Sequence, residues 1–166
     1  MTTALDLPAE KLDEVETRFV EAIQKFGWFC TRVAGDEAGP AFSYTSGIWE
    51  KAKHSELIMF GLPKDTSYGV FEGIYRDLDR GIIVETGVPL SNVFGSAVAY
   101  AFPVAEKHCA EYLGWSRWFY RGNAFPCIQI VWPDRTGKFP WEADFDPAFC
   151  DDQPDLSELG WRKLIK

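Results

Sequence analysis

The sequence predicts an α+β domain built on a mainly antiparallel sheet or a partial (split) barrel, with an N-terminal amphipathic helix and two further helices. Three observations predict it. Apolar residues recur at helical spacing near the N-terminus, runs of strand character come in groups between helical stretches, and those groups lack the strict βαβ alternation of a doubly wound sheet. At 166 residues the chain suits a single domain, and such a length buries roughly 70% of its unfolded surface without disulfide staples.

Leu12, Val15, Phe19, Ile23 and Phe26 repeat at helical intervals between mostly charged positions, with Pro8 opening the segment and Gly27 closing it, so the first helix is expected over 8–26. Trp28 to Val33 and Ala41 to Gly47 read as strands joined by the acidic turn Gly35 to Pro40, a hairpin. Ile48 to Ser55 reads as a polar, basic loop. The continuous apolar character of Glu56 to Leu62 makes it a buried strand, stopped by Pro63. A second helix is expected over 66–80, where Tyr68, Phe71, Tyr75 and Leu78 keep helical spacing and Gly81 supplies a left-handed stop; Gly69 and Gly73 weaken it. Ile82 to Thr86 reads as a strand, Gly87 to Asn92 as a turn, and Val93 to Val104 as one longer or bent strand. Ala105 to Gly114 forms a short helix running into Trp115, Trp118, Phe119 and Tyr120. Phe125 to Trp132 is the last strand, ended by Pro133, which removes a donor from the ladder. Trp161 and Leu164 are the anchors of the tail.

Composition excludes several functions. A net charge of −8, from 25 acids and 17 bases with no basic cluster, repels a phosphate backbone, so no nucleic-acid partner is expected. No run approaches the roughly 20 apolar residues of a membrane span, and the N-terminus lacks the basic region and apolar core of a signal peptide, which points to the cytoplasm. Cys30, Cys109, Cys127 and Cys150 are widely spaced without a CxxC pair, as free thiols of a reducing compartment would be. Asp144, Asp146, Asp151 and Asp152 lack the ligand spacing of a calcium loop, and no metal site is expected. Neither GxSxG, HExxH, P-loop nor GxGxxG is present. Aromatics make up 16% of the chain, with seven Trp and thirteen Phe. That ring area exceeds what the core needs and suits a pocket or an interface.

The densest motif is Gln129 to Glu142. Gln129 is an amide inside an apolar strand, and once buried it must find partners. Asp134 to Gly137 is turn chemistry, followed by Phe139, Pro140, Trp141 and Glu142 on a stiff backbone. As a site, Trp132 or Trp141 stacks on a planar ligand while Gln129, Asp134 or Glu142 orients it. The structural alternative is a corner in which the tryptophans plug the core and Gln129 caps a backbone group.

Strand alternation puts Ser43 and Thr45 on one face of their strand and Tyr44 on the other, so two hydroxyls can hold a phosphate or carbonyl if that face lines a cleft. Ordinary β-propensity explains the same residues. His54, in the loop before the Leu57 strand, is a candidate base or ligand near neutral pH, against the commoner reading of a solvated histidine. His108 beside Cys109 is no dyad, because neighbours on a helix point about 100° apart.

The motifs Phe42-Ser-Tyr-Thr-Ser-Gly47, Ser55-Glu-Leu-Ile-Met-Phe-Gly-Leu-Pro63, Gln129-Ile-Val-Trp-Pro-Asp134, Phe139-Pro-Trp-Glu142 and Gln153-Pro154 occur together in this order. Over 27–156 the chain resembles a widespread bacterial family, domain of unknown function 4262, leaving 157–166 as a tail. The resemblance implies no activity that can be carried over. Ser46, Ile48 and Ser55 depart from its pattern, where Ile, Leu and Pro are usual. A fainter likeness to the split barrels of flavin reductases implies a flavin as cofactor, its phosphate held by strand hydroxyls and nearby basic residues. The function expected is therefore binding of a small planar or flavin-like molecule. The alternatives are a protein–protein interaction module, antitoxin-like or regulatory, and an enzyme using His54 with Tyr44 or an acid; no catalytic residue is assigned.

Overall fold

The computed structural model describes residues 2–166. Two 3-10 turns, Ala4–Asp6 and Ala9–Lys11, lead into helix α1, Glu14–Phe26. The helix begins later than Pro8 because Asp13 caps it: the Asp13 carboxylate accepts the Glu16 N–H at 2.8 Å and Glu16 accepts the Asp13 N–H at 2.9 Å. Gly27 ends it at φ 90°, a left-handed conformation that favours glycine.

Six strands follow among the described residues: β1 Phe29–Val33, β2 Phe42–Ser46, β3 Glu56–Phe60, β4 Leu90–Phe94, β5 Ala97–Pro103 and β6 Cys127–Val131. They form one sheet in the order β1-β2-β3-β6-β5-β4. Only the central β3–β6 pair is parallel; the other pairings are antiparallel. Both central strands are buried at every position, which is why their sequences run apolar without alternation. The sheet is open, with β1 and β4 as its edges, so the class is α+β with a mainly antiparallel sheet and not a barrel.

Helices cover both faces. Ile58 and Phe60 of β3 point with Phe42 and Tyr44 toward α1 and toward two short helices, α4 (Cys109–Tyr112) and α5 (Gly114–Tyr120). Leu57, Met59, Ile128 and Ile130 point the other way, toward Val70, Phe71 and Ile74 of a longer helix, α3 (Lys64–Leu78). A third cluster joins Phe102 and Val131 to Phe139 and to Trp161 of a short C-terminal helix, Trp161–Leu164.

Several expectations change. Among the described residues the helices beyond α1 number five rather than two, because the aromatic cluster at 115–120 is itself helical, a short helix forms at Trp161–Leu164, and another, α2 (Ile48–Ala52), stands inside the expected 48–55 loop. Its start is organised by a buried carboxylate that reading by neighbours in sequence does not find. The expected strand at 82–86 is a loop; Ile83 is 71% exposed, so pairing there would bury little. Val93 to Val104 is divided by a turn at Gly95, and β4 begins earlier, with a register shift near Asn92, which sits at φ 68°. Among the described residues no helix is long and apolar enough to cross a membrane.

Candidate functional site

The sequence-nominated residues fall into separate parts of the molecule. Tyr44 is buried against α5, where its hydroxyl accepts the Trp115 N–H at 2.9 Å. Trp132 lies on the α3 side, donating its indole N–H to the Phe60 carbonyl at 2.8 Å and meeting Phe149 edge-on. Trp141 belongs to the third cluster, stacked on Phe139 at 4.9 Å and 6° and edge-on to Tyr100.

Gln129 satisfies the chain that returns past it: its amide donates to the Pro154 carbonyl at 2.7 Å and its oxygen accepts the Leu156 N–H at 3.3 Å. Gln153 does the reciprocal work on Trp132, accepting its N–H at 3.0 Å and donating to its carbonyl at 2.9 Å. Asp134 organises its turn by accepting from the Thr136 and Lys138 N–H groups, the Thr136 hydroxyl and the Asp146 N–H. Desolvation alone would raise its pKa, but these four hydrogen bonds outweigh that and hold it at about 2. Glu142 accepts the Phe139 N–H at 2.7 Å.

His54 has both ring nitrogens engaged. Nδ1 faces the Ser55 carbonyl at 2.9 Å and Nε2 accepts the Val84 N–H at 3.3 Å, which sets the tautomer with hydrogen on Nδ1. Desolvation lowers its pKa, against the Ser55 hydrogen bond that raises it. Ser43 is buried and accepts from Arg32 at 3.3 Å, while the same guanidinium donates to the Leu62 carbonyl at 2.8 Å.

Thr45 leads to a centre that the sequence did not single out. The β2–β3 ladder ends at Tyr44 and Ile58. Beyond it the strands part, and the Thr45 hydroxyl accepts the Leu57 N–H at 2.9 Å while donating to Glu56 Oε2 at 2.6 Å. Glu56 is wholly buried. Its Oε1 accepts the Gly47 and Trp49 N–H groups at 2.8 and 3.2 Å and the Tyr120 hydroxyl. Burial raises the Glu56 pKa, opposed by the hydrogen bonds from Thr45, Tyr120, Trp49 and Gly47. Beside it, the Ser116 hydroxyl donates to the Thr45 carbonyl at 2.9 Å and lies 2.7 Å from the Ser46 hydroxyl, tying α5 to β2. The signal available in the sequence was an acid directly preceding four apolar residues of a strand buried on both faces.

Open space lies elsewhere, in surface hollows of about 520–650 Å³, one of them on the other side of α3 against Asn92 to Ala97. Between the end of α1, the start of β1 and the outer shoulder of α3 runs a cleft of about 610 Å³, lined by Phe26, Trp28, Cys30, Tyr68 and Tyr75. Trp28 and Tyr68 are 5.2 Å apart at 31°, and Tyr75 lies 6.1 Å from Trp28. Tyr75 closes the floor over Gly27, where any Cβ would collide with its hydroxyl. Lys64, Glu72 and Asp79 also line this cleft. The Cys30 thiol is pushed up to about 11 by burial, against the fields of Lys64 and Arg32, so it stands there as a neutral wall. Phe26, Tyr68 and Tyr75 were legible only as helix periodicity and Trp28 only as the start of a strand: Phe71 points into the core, whereas Tyr68 remains 44% exposed on the shoulder.

No curated protein and no solved structure matches the chain. Residues 22–146 match the family described as Domain of unknown function (DUF4262), which spans the hairpin, α3 and the tryptophan segment. The chain belongs to that family.

Proposed function

We propose that the chain is a small-molecule-binding domain whose ligand is a planar ring system held in the cleft between α1, β1 and α3. The observation that carries this is the disposition of the aromatic side chains. Most rings pack in the three core clusters; Trp28, only 7% exposed, belongs to the second and Tyr75 packs against it, and together with Tyr68, 44% exposed, and Phe26, 61% exposed, they also line an open cleft of about 610 Å³. That volume falls within the roughly 300–1,000 Å³ of small-molecule pockets, and aromatic walls with a few charged groups are the usual lining. Offset stacking on such rings contributes about 0.5–1.5 kcal/mol per pair beyond area burial.

The interaction-module alternative drew on Trp115, Trp118, Phe119 and Tyr120. Those rings pack internally, with Trp115 stacked on Phe19 at 4.9 Å and Tyr120 on Phe125 at 4.8 Å, which leaves the small-molecule reading the better supported.

The test is an absorbance spectrum of freshly purified protein and mass spectrometry of what it releases on denaturation, with Tyr68→Ala prepared alongside. A near-stoichiometric aromatic compound, a flavin among them, carried by the parent and depleted in the variant supports the reading. An equal load in both proteins places the ligand elsewhere and overturns the assignment to this cleft.

A further inference from the structure

Charge is unevenly distributed along the aromatic cleft. Lys64, at the first turn of α3, stands at the end nearest Cys30, whose thiol feels the fields of Lys64 and Arg32. Glu72 and Asp79 lie farther along the same shoulder of α3, and Asp79 adds to desolvation in raising the Tyr75 pKa. Arg76 lines this cleft as well as the neighbouring hollow on the other side of α3 and stands one turn from each acid, so this end carries two carboxylates against one guanidinium and stays net negative. Among the described residues Lys64, Glu72 and Asp79 take part in none of the ion pairs within 4.0 Å.

At 1.5 Å rise per residue, Lys64 and Glu72 are separated by about 12 Å along the helix axis. Tyr68 lies midway between them, one turn from each. A ring seated on Trp28 and Tyr68 therefore has a cation beyond one end and carboxylates beyond the other.

Resting on the binding reading above, we propose that this cleft selects an elongated, planar aromatic zwitterion: an anionic group directed at Lys64, a ring against Trp28 and Tyr68, and an ammonium directed at Glu72 and Asp79. The length excludes a single small ring from reaching both ends, and the opposed charges disfavour a ligand anionic at both.

The test uses the full chain and matched bicyclic probes measured by calorimetry and ligand-observed NMR: 6-(aminomethyl)-2-naphthoate, its amide lacking the anion, and 6-methyl-2-naphthoate lacking the ammonium. The zwitterion is expected to bind roughly two- to fivefold tighter than either analogue, the range for ion pairs open to solvent. Lys64→Met should abolish the preference over the amide alone, and Glu72→Gln should reduce the preference over the methyl analogue alone. Equal binding of the three probes, all weakened by Tyr68→Ala, overturns the charge selection and leaves the aromatic cleft standing. Binding that Tyr68→Ala does not alter, or binding of no probe, overturns this inference, and the first of these outcomes counts against the cleft itself. Circular dichroism of each variant separates lost binding from lost fold.

Discussion

The Tyr120 hydroxyl of α5 donates to Glu56 Oε1 while itself accepting the Gly47 and Glu50 N–H groups, each at 3.2 Å. A residue on one helix thus completes the hydrogen bonding of another helix's first turn through a carboxylate placed at the start of β3. Neither partner is near the other in sequence, and each would lose one of its several buried hydrogen bonds without the other.

Removing this carboxylate should be far more damaging than removing its charge. Glu56→Ala leaves the Trp49 N–H and the Thr45 and Tyr120 hydroxyls short of an acceptor, takes the nearer of two acceptors from the Gly47 N–H and opens a cavity, a loss of about 3 kcal/mol or more. Tyr120→Phe should lose about 1–3 kcal/mol. Urea unfolding followed by tryptophan fluorescence gives both values, and a Glu56→Ala midpoint equal to that of the parent would refute the role assigned here.

The pH dependence has a definite sign. Burial raises the Glu56 pKa above its ordinary 4.5, so the native state holds this proton more tightly than the unfolded chain. Its contribution to stability is then largest below about pH 4.5 and declines as pH rises through the native pKa. Glu56→Gln, which keeps the shape, should therefore destabilise most near pH 5 and least near pH 8. Denaturation curves at the two pH values decide it; a penalty that grows with pH contradicts the account.

His54 works in the opposite direction. Its pKa is lowered from 6.5 by desolvation, so its contribution is present above that value and is lost as pH falls through the native pKa. Protonation of Nε2 removes the acceptor for the Val84 N–H. Amide exchange at Val84, corrected for the intrinsic rate, should accelerate between pH 7.5 and 5.5, and His54→Leu should exchange fast at both. Unchanged protection at low pH would show that another group holds this loop.

Two glycines should respond oppositely to alanine. At Gly47, φ is 106° and a Cβ would stand 2.9 Å from both the Gly27 carbonyl oxygen and Ile23, so Gly47→Ala strains the backbone at the Glu56 centre. At Gly69, inside α3, a Cβ would meet nothing within 4 Å, and alanine should stabilise by about 0.5–1 kcal/mol. The expected gain in Tm is about 1–4 °C. Differential scanning calorimetry reads both; a lower Tm for Gly69→Ala would mean that α3 needs that glycine.

Gln129 and Gln153 hold the C-terminal stretch to the sheet. Gln129→Leu leaves the Pro154 carbonyl and Leu156 N–H unmet and should cost about 1–3 kcal/mol. Limited proteolysis should then cut near 153–157 faster than in the parent, and equal cleavage rates would argue against that tether.

Much of the architecture was legible from local chemistry. The amphipathic period of α1 and its Gly27 stop, the β1–β2 hairpin, the largely apolar β3 and β6, and the helix before Gly81 each follow from spacing and turn residues within one segment. The α+β class follows from their order. Where local signals were weak the reading failed: the 82–86 segment has strand composition but no burial to drive pairing, and α2, five residues long, is too short to show a helical period or to nucleate by itself.

Local patterning along the chain sets which segments must bury apolar surface and which residues are available to stop them. Which polar groups meet follows from packing. Glu56, Thr45, Ser116 and Tyr120 come together because β2 and β3 part beside α5, and Trp28, Tyr68 and Tyr75 because α3 crosses beside the end of α1. The tryptophans at 132 and 141, neighbours along the chain, enter different clusters. Hydrophobic patterning is a one-dimensional property of a segment, whereas hydrogen-bond satisfaction and cleft shape depend on distances that arise only when separate segments pack.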